Sequence, residues 1–399
     1  MKRKILFVDD ERSILQGLQR MLHRMRGSWD MRFAGSGREA LALMAQEPVD
    51  VIVSDMRMPE MDGAELLTRV KSEYPQMVRI VLSGHTEHKS IMKTVRLAHQ
   101  YISKPCDADR LRVTIDRACK LKELLADQAL RSLVSRLETL PGLPTTYNQI
   151  MDALKDPECS IQQVGEIISR DIGMTAKILQ LVNSAFYGIA RHVSGPVEAA
   201  VYLGLDNIQA LVMTIGLFSD FENCGISVHV VQEVYNHSMK TGSLAREIAL
   251  SADLGREKAD DAFMAGLLHD LGKLVIAYNM PKTYGKLLNQ SLKRGIDIQE
   301  AEEKMLGATH GQIGGYLIGL WGLPHSIMEA VAFHHVPRQC PSAGFDALGA
   351  VHVANALAHH VPDGTAAANS LAGVDQDYLA EMGISACLDR WQGLAARAA

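Results

Sequence analysis

Five side chains able to handle a charged oxyanion follow short apolar runs: Asp9 and Asp10 after Ile5 to Val8, Asp55 after Val49 to Ser54, Ser83 after Arg79 to Leu82, and Lys104 after Tyr101-Ile102. If these runs are strands of one parallel sheet, all five residues share its carboxyl edge, where open α/β sheets bind ligands. Three carboxylates meeting there repel one another unless a hard cation joins them, and oxygen ligands with room for water suit Mg2+. A carboxylate near the cation can attack a phosphoryl group, while the cation and a lysine neutralise the equatorial oxygens. A second set is built on imidazoles: His237, the pair His269-Asp270 with Lys273 three residues on, His310, and the pair His334-His335. Imidazoles and a carboxylate spread over several helices are what a metal site inside a bundle needs.

To position the first set, the chain must alternate strands with helices, and it does so from Lys4 to about Lys120. The four runs above and Met31 to Ala34 are separated by amphipathic segments, which predicts a doubly wound parallel sheet. Asp107 can cap a final helix running through Leu111, Ile115, Ala118, Leu121 and Leu125 toward Leu137 without Pro or Gly, a single connector whose leucine spacing also suits a short coiled coil. Leu140-Pro141-Gly142-Leu143-Pro144 ends it. From Thr145 to about His360 the apolar period is helical, so the imidazoles belong to an all-α bundle. A loose stretch follows Pro362, then a last helix from Gln376 to about Ala395.

Composition narrows the function classes. With 399 residues the chain exceeds one core, which stops growing near roughly 250–300 residues, so two or three domains are expected. A net charge of −5 and no basic block argue against nucleic-acid binding, including direct DNA contact by a transcription factor. No apolar stretch approaches the roughly 18 residues that span a bilayer. Met1-Lys2-Arg3-Lys4 leads into a strand and acidic residues without a secretion cleavage site, so a cytoplasmic location is expected. Cys106, Cys119, Cys159, Cys224, Cys340 and Cys387 never come closer than 13 residues, which excludes CxxC pairs and predicts reduced, mostly buried thiols.

The stretches Val8-Asp9-Asp10-Glu11, Ser54-Asp55-Met56-Arg57-Met58-Pro59-Glu60-Met61-Asp62-Gly63, Leu82-Ser83-Gly84 and Ser103-Lys104-Pro105 closely resemble the receiver domain of bacterial two-component response regulators, over about residues 1–122. The resemblance implies a flavodoxin-like (βα)5 fold with Asp55 as phosphoacceptor and a sensor histidine kinase as phosphodonor. It further implies Mg2+ held by Asp10, Asp55 and the Arg57 carbonyl, with Asp9 acting through water. Ser83 would donate its hydroxyl to the phosphoryl group, Lys104 would pair with it, and Tyr101 would be the aromatic switch.

Leu140-Pro141-Gly142-Leu143-Pro144, Ile168-Ser169-Arg170-Asp171, Leu181-Val182-Asn183-Ser184-Ala185-Phe186-Tyr187-Gly188 and Ala199-Ala200-Val201-Tyr202-Leu203-Gly204-Leu205 resemble the HDOD domain, a helical signalling module related to HD phosphohydrolases, from about Leu137 to His335. By that relationship His237, His269 and Asp270 match the first metal ligands. His310, His334 and His335 match further ligands for Fe, Mn or Zn, and Lys273 matches a phosphate contact. The closing aspartate is replaced by Asn355, a neutral and weaker ligand, and the Gly-Tyr-Pro signature of the cyclic di-GMP phosphodiesterases is absent: His335 is followed by Val336-Pro337-Arg338-Gln339. His352, His359 and His360 read as helix-end residues that favour the dipole.

The resulting organisation is a receiver at 1–122, a linker helix at 123–139, an HDOD domain at 140–340 and a helical extension at 341–399. The expected function is a response regulator in which Asp55 phosphorylation alters the face of the fourth helix and fifth strand. A non-catalytic HDOD module then signals to downstream proteins, with a homodimer formed through the receiver or linker. The alternative is a phosphorylation-gated, metal-dependent phosphodiesterase acting on cyclic di-GMP or another nucleotide.

Overall fold

The computed structural model describes residues 2–84, 97–121, 124–125, 127–135, 144–154, 156, 159–183, 193–205, 208, 228–294, 296–341, 344–359 and 373–398. Strands β1 (Arg3–Val8), β2 (Trp29–Ala34), β3 (Val51–Asp55), β4 (Val78–Gly84) and β5 (Gln100–Lys104) form one parallel sheet in the order β2-β1-β3-β4-β5. Ile5, Leu6, Phe7, Val51, Ile52, Val53, Ile80 and Val81 are fully buried, because helices cover both faces and the strands must be apolar on both. Register pairs Val8 with Ser54, Asp55 with Leu82 and Gly84 with Lys104, so the expected acidic residues and lysine emerge at one edge.

Helices α1 (Arg12–Met21), α2 (Gly37–Gln46), α3 (Gly63–Glu73) and α4 (Ala108–Lys120) flank the sheet. Ser36, Asp62 and Asp107 cap the last three, each accepting a hydrogen bond from the backbone N–H three residues on. Residues 85–96, where the sequence places the fourth helix, lie outside the described residues.

The expected unbroken connector from Asp107 to Leu137 is not found. Helix α4 stops at Lys120, and α5 (Gln128–Ser135) restarts behind Asp127, whose carboxylate accepts from the Leu130 N–H at 2.6 Å. Between them Leu121 and Leu125 are buried. Leu121 seats against Gly319, where a β-carbon would collide with its Cδ2. Burying each leucine is worth about 1.5–3 kcal/mol, which outweighs the few backbone bonds lost at the break. Leu137 and the Pro-Gly segment lie outside the described residues.

The C-terminal half is helical: α6 (Pro144–Ala153), α7 (Ile161–Ser169), α8 (Ile172–Val182), α9 (Pro196–Leu203), α10 (Val228–Ser251), α11 (Arg256–Leu268), α12 (Leu271–Asn279), α13 (Pro281–Arg294), α14 (Ile298–Leu306), α15 (His310–Leu320), α16 (His325–Phe333) and α17 (Ala347–His359). The single last helix is instead two, α18 (Gln376–Glu381) and α19 (Leu388–Ala398), because Gly383 takes a left-handed φ of 71° that stops the first. The stretch after Pro362 falls outside the described residues up to Gly373. The five described cysteines are half-buried, not buried as expected. No described helix is long and apolar enough to cross a membrane.

The halves meet through buried polar groups. Every residue of α8 is buried, and its Gln180 Nε2 donates to the His99 carbonyl at 3.0 Å, while Gln100 Nε2 donates to Leu320 O at 3.1 Å. Arg79, buried at the start of β4, donates to Leu97 O at 2.6 Å and to Ser135 O on α5 at 2.8 Å. Burial and the Arg79 guanidinium push His99 well below the ordinary imidazole range, so it stays neutral. Gln180→Ala strands the His99 carbonyl at this interface and is expected to cost about 1–2 kcal/mol, read as a lower urea midpoint.

Candidate functional site

At the sheet edge, Asp9 leaves β1 buried, and its Oδ1 accepts from the Glu11 N–H at 2.9 Å. Asp55 ends β3, and its Oδ2 accepts from the Arg57 N–H at 2.8 Å. The Lys104 ammonium lies between them, 2.7 Å from Asp9 Oδ2 and hydrogen-bonded to Asp55 Oδ1. Burial raises the Asp55 carboxyl above its ordinary range, with Lys104 acting against it. Burial alone would lower Lys104, but its bonds to Asp55 and Asp9 outweigh that and hold it higher.

Gly63 lets the start of α3 pack against the end of β3, since a β-carbon there would lie 2.2 Å from the Asp55 carbonyl oxygen. Asp10 and the Arg57 side chain are exposed beside the pocket. Ser83 pairs with Ser103 near the end of β4, and its side chain is outside the described set. Tyr101 is buried on β5 and borders a cavity of about 130 Å3 whose other walls include Arg117 of α4 and Asn183 and Trp321 of the helical half.

The second set of expected residues converges completely. His269 and Asp270 occupy the junction of α11 and α12, His310 opens α15, His334 and His335 follow α16, and α10 and α17 contribute His237 and Asn355. Small residues allow the approach: a β-carbon on Gly266 would lie 2.7 Å from Gly242 Cα, and one on Gly272 would lie 1.9 Å from the His310 carbonyl oxygen. Thr309 starts α15 with a capping box to Gln312, which fixes where His310 begins.

Among the described residues, two groups of three ligating atoms lie within 4.8 Å of one another: His310, His334 and His335, and His237, His269 and Asp270. Asp270 joins the groups, with Oδ1 3.3 Å from His310 Nε2 and Oδ2 3.4 Å from His269 Nε2. Lys273 Nζ also reaches Asp270 Oδ2, at 2.8 Å. The ring nitrogens away from the centre are committed. His310 Nδ1 donates to Glu302 Oε2 at 2.7 Å, His269 Nδ1 to Gly266 O at 2.6 Å, and His334 Nδ1 to Val331 O at 2.8 Å. This leaves the Nε2 atoms of His269 and His334 and Asp270 Oδ1 buried with no hydrogen-bond partner. Orphaned, inward-facing ligand atoms held by outer hydrogen bonds fit a divalent metal.

Burial drives His269 down to about 3 and His334 and His335 well below the ordinary imidazole range, so all three are neutral, the state that ligates. Burial opposes ionisation of Asp270, yet the Lys273 ammonium beside it acts the other way, and the carboxyl is held well below its usual range.

Two residues change standing. His352 is not a helix-end residue: it lies within α17, buried, donating from Nδ1 to His334 O at 2.7 Å and accepting at Nε2 from the Asp375 N–H at 2.8 Å. Burial keeps it neutral, so no dipole term with a cationic ring applies. His359 does end α17, but its ring stacks on His237 with centroids 4.0 Å apart. His360 is outside the described residues. Glu302, which sequence reasoning missed, is fully buried and also accepts from the His310 N–H at 2.8 Å.

Comparison with known proteins agrees with this division. The response regulator receiver domain family matches residues 5–116, and the HDOD domain family matches residues 140–337. The hydrogenase transcriptional regulatory protein HoxA of Cupriavidus necator is 36% identical over 137 residues, 34% of this chain and 28% of that protein. The regulatory protein AtoC of Escherichia coli is 30% identical over 198 residues, 48% of this chain and 41% of that one. The chain therefore spans less than half the length of these relatives. A solved signal receiver domain of an HD domain-containing protein from Pseudomonas fluorescens Pf-5 is 34% identical, covering 31% of this chain and 98% of that one, with a TM-score of 0.29. With the family matches falling on the sheet half and the helical half in turn, the chain joins an N-terminal response regulator receiver domain to a C-terminal HDOD domain.

Proposed function

We propose that a sensor histidine kinase phosphorylates Asp55 and that the modified receiver changes which proteins the HDOD domain contacts. The observation that carries this is the Lys104 ammonium held between Asp9 and Asp55 at the sheet edge. In the transfer, a carboxylate oxygen of Asp55 attacks phosphorus, the bond to the donor's imidazole breaks, and Lys104 turns from the carboxylate to the new phosphoryl oxygens. Asp9, Asp10, Asp55 and the Arg57 carbonyl would hold Mg2+, which supplies charge neutralisation at the equatorial oxygens. Ser83 would donate to one of those oxygens.

Tyr101 supports a route onward, since the cavity it borders is walled by both domains. A change in its rotamer alters the surface on which Asn183 and Trp321 rest, and a two-state shift of this kind needs only a few kcal/mol. Acetyl phosphate with Mg2+ is expected to label the native chain and leave Asp55→Asn at background. Label retained in Asp55→Asn would overturn the assignment. Pull-downs with native protein and Asp55→Ala are expected to recover different partners. A homodimer through the receiver or the linker helix is expected to follow phosphorylation, so sedimentation should separate the phosphorylated protein from Asp55→Asn.

The converged histidine cluster favours a second reading, a metal-dependent phosphodiesterase gated by the receiver. His237, His269, Asp270, His310, His334, His335 and Asn355 form two adjoining groups joined by Asp270, with Lys273 at their border. Fe, Mn or Zn there would supply Lewis acidity toward a phosphate ester. Lys273, only slightly exposed, would contact the phosphate of a cyclic dinucleotide or other nucleotide. Turnover of cyclic di-GMP by metal-loaded protein, lost in Asp270→Ala, would establish this reading; inert, metal-loaded protein would leave the HDOD domain as a binding module.

A further inference from the structure

The two groups of ligating atoms differ in what already occupies them. In the group formed by His237, His269 and Asp270, the His237 Nε2 hydrogen-bonds Asn355 Oδ1 at 2.8 Å and has Thr241 Oγ1 at 3.4 Å. The Asp270 oxygen on that side, Oδ2, takes the Lys273 ammonium at 2.8 Å. Only His269 Nε2 is left without a partner there. On the other side, Asp270 Oδ1 and His334 Nε2 are both buried without a partner. The Nε2 of His310, whose Nδ1 already donates to Glu302, lies 3.2 Å from His335 Nε2 and 3.3 Å from Asp270 Oδ1, so its lone pair faces the same space as these atoms.

Charge separates the groups in the same way. The buried carboxylates here are Asp270 and Glu302, and Lys273 is the fixed cation at the border. One divalent ion leaves a single net positive charge in the cluster, whereas a second would leave three, in a place where water cannot screen them. The residue that could offset the second ion, at position 355, is an uncharged amide.

We propose that the cluster takes one divalent transition-metal ion, on Asp270, His310, His334 and His335, and that Lys273 and Asn355 fill the second position and keep another ion out. This rests on the reading that the cluster binds metal. Glu302 and Val331 O then act as positioning groups, holding the Nδ1–H of His310 and His334 so that each Nε2 lone pair faces the ion.

The test loads metal-free full-length protein with excess Mn2+, removes loose ion by gel filtration, and counts bound Mn2+ by elemental analysis and electron paramagnetic resonance. An Asp55→Ala background removes a carboxylate from the receiver pocket. About one Mn2+ per chain with the signal of an isolated ion is expected. His237→Ala should keep that ion and His334→Ala should lose it; if circular dichroism shows His334→Ala unfolded, the half-buried His335→Ala serves instead. The double variant Lys273→Met with Asn355→Asp should bind about two ions and show spin coupling between them.

Two coupled ions in the native cluster, or loss of the ion in His237→Ala, would overturn the single-ion site while leaving metal binding intact. A double variant still holding one ion would overturn the role given to Lys273 and Asn355. Native protein that binds none would overturn the metal reading itself.

Discussion

Gly272→Ala is expected to destabilise the HDOD domain by about 3 kcal/mol and to abolish the metal binding proposed for the histidine cluster. A β-carbon at this position in α12 would lie 1.9 Å from the His310 carbonyl oxygen and 2.9 Å from its Cα, both backbone atoms at the start of α15. No rotamer change relieves a contact with backbone, so the helices must separate. That movement draws Asp270, two residues away, from His310, whose Nε2 lies 3.3 Å from Asp270 Oδ1. The orphaned atoms then no longer surround one point. Gly285→Ala is the control, because a β-carbon on this exposed glycine of α13 would meet nothing within 4 Å, and the change should stabilise by about 0.5–1 kcal/mol through helix propensity. Urea unfolding with metal content on the same samples checks both. Equal midpoints for Gly272→Ala and native protein would show that α12 and α15 are not packed this closely.

The sheet was legible because its central strands are buried on both faces and so appear as short continuous apolar runs, each ending where a polar residue must leave the core. The edge chemistry followed from that, since Asp9, Asp55 and Lys104 lie where their strands stop. The helical cluster was legible from residue type, an adjacent His-Asp pair with further histidines at helix-scale separations. Other features were decided by contacts distant in sequence. Leu121 and Leu125 satisfy a continuous helix as well as a broken one, and only the groove at Gly319 selects the break. Glu302 sits in the run Glu300-Ala301-Glu302-Glu303-Lys304, which has the composition of a solvated face, yet this one carboxylate is turned inward onto His310. His352 was misplaced because the end of α17 was not separable from its middle by composition, and its partner, the His334 carbonyl, lies on another helix. Arg79 looked like a polar start to a strand, whereas it ties β4 to the Ser135 carbonyl of α5.

Acidifying the metal-free protein from about pH 7.5 to about pH 5.5 is expected to lower its stability steeply, well before carboxylates titrate. His269 has an ordinary value of 6.5 when the chain is unfolded, and burial drives it to about 3 in the fold. The unfolded chain therefore binds the extra proton between those values while the folded chain does not. The stabilisation is complete above the unfolded value and is lost as pH falls through the window from 6.5 toward 3. At about pH 5.5 this group alone costs about 1.4 kcal/mol. His99, His334 and His335 are displaced in the same direction, chiefly by burial, and add to the loss. The His99 contribution arises at the interface between the domains, beside the Arg79 guanidinium 2.9 Å away, and is independent of the metal cluster. His99→Gln should thus retain most of the acid sensitivity, and a divalent ion bound to the cluster should steepen it, because protons compete for the same nitrogens. Thermal melting across this range is the measurement. A melting temperature that does not fall between about pH 7.5 and about pH 5.5 would mean that the buried imidazoles already carry protons in the folded state, and the neutral, ligand-ready cluster would have to be abandoned.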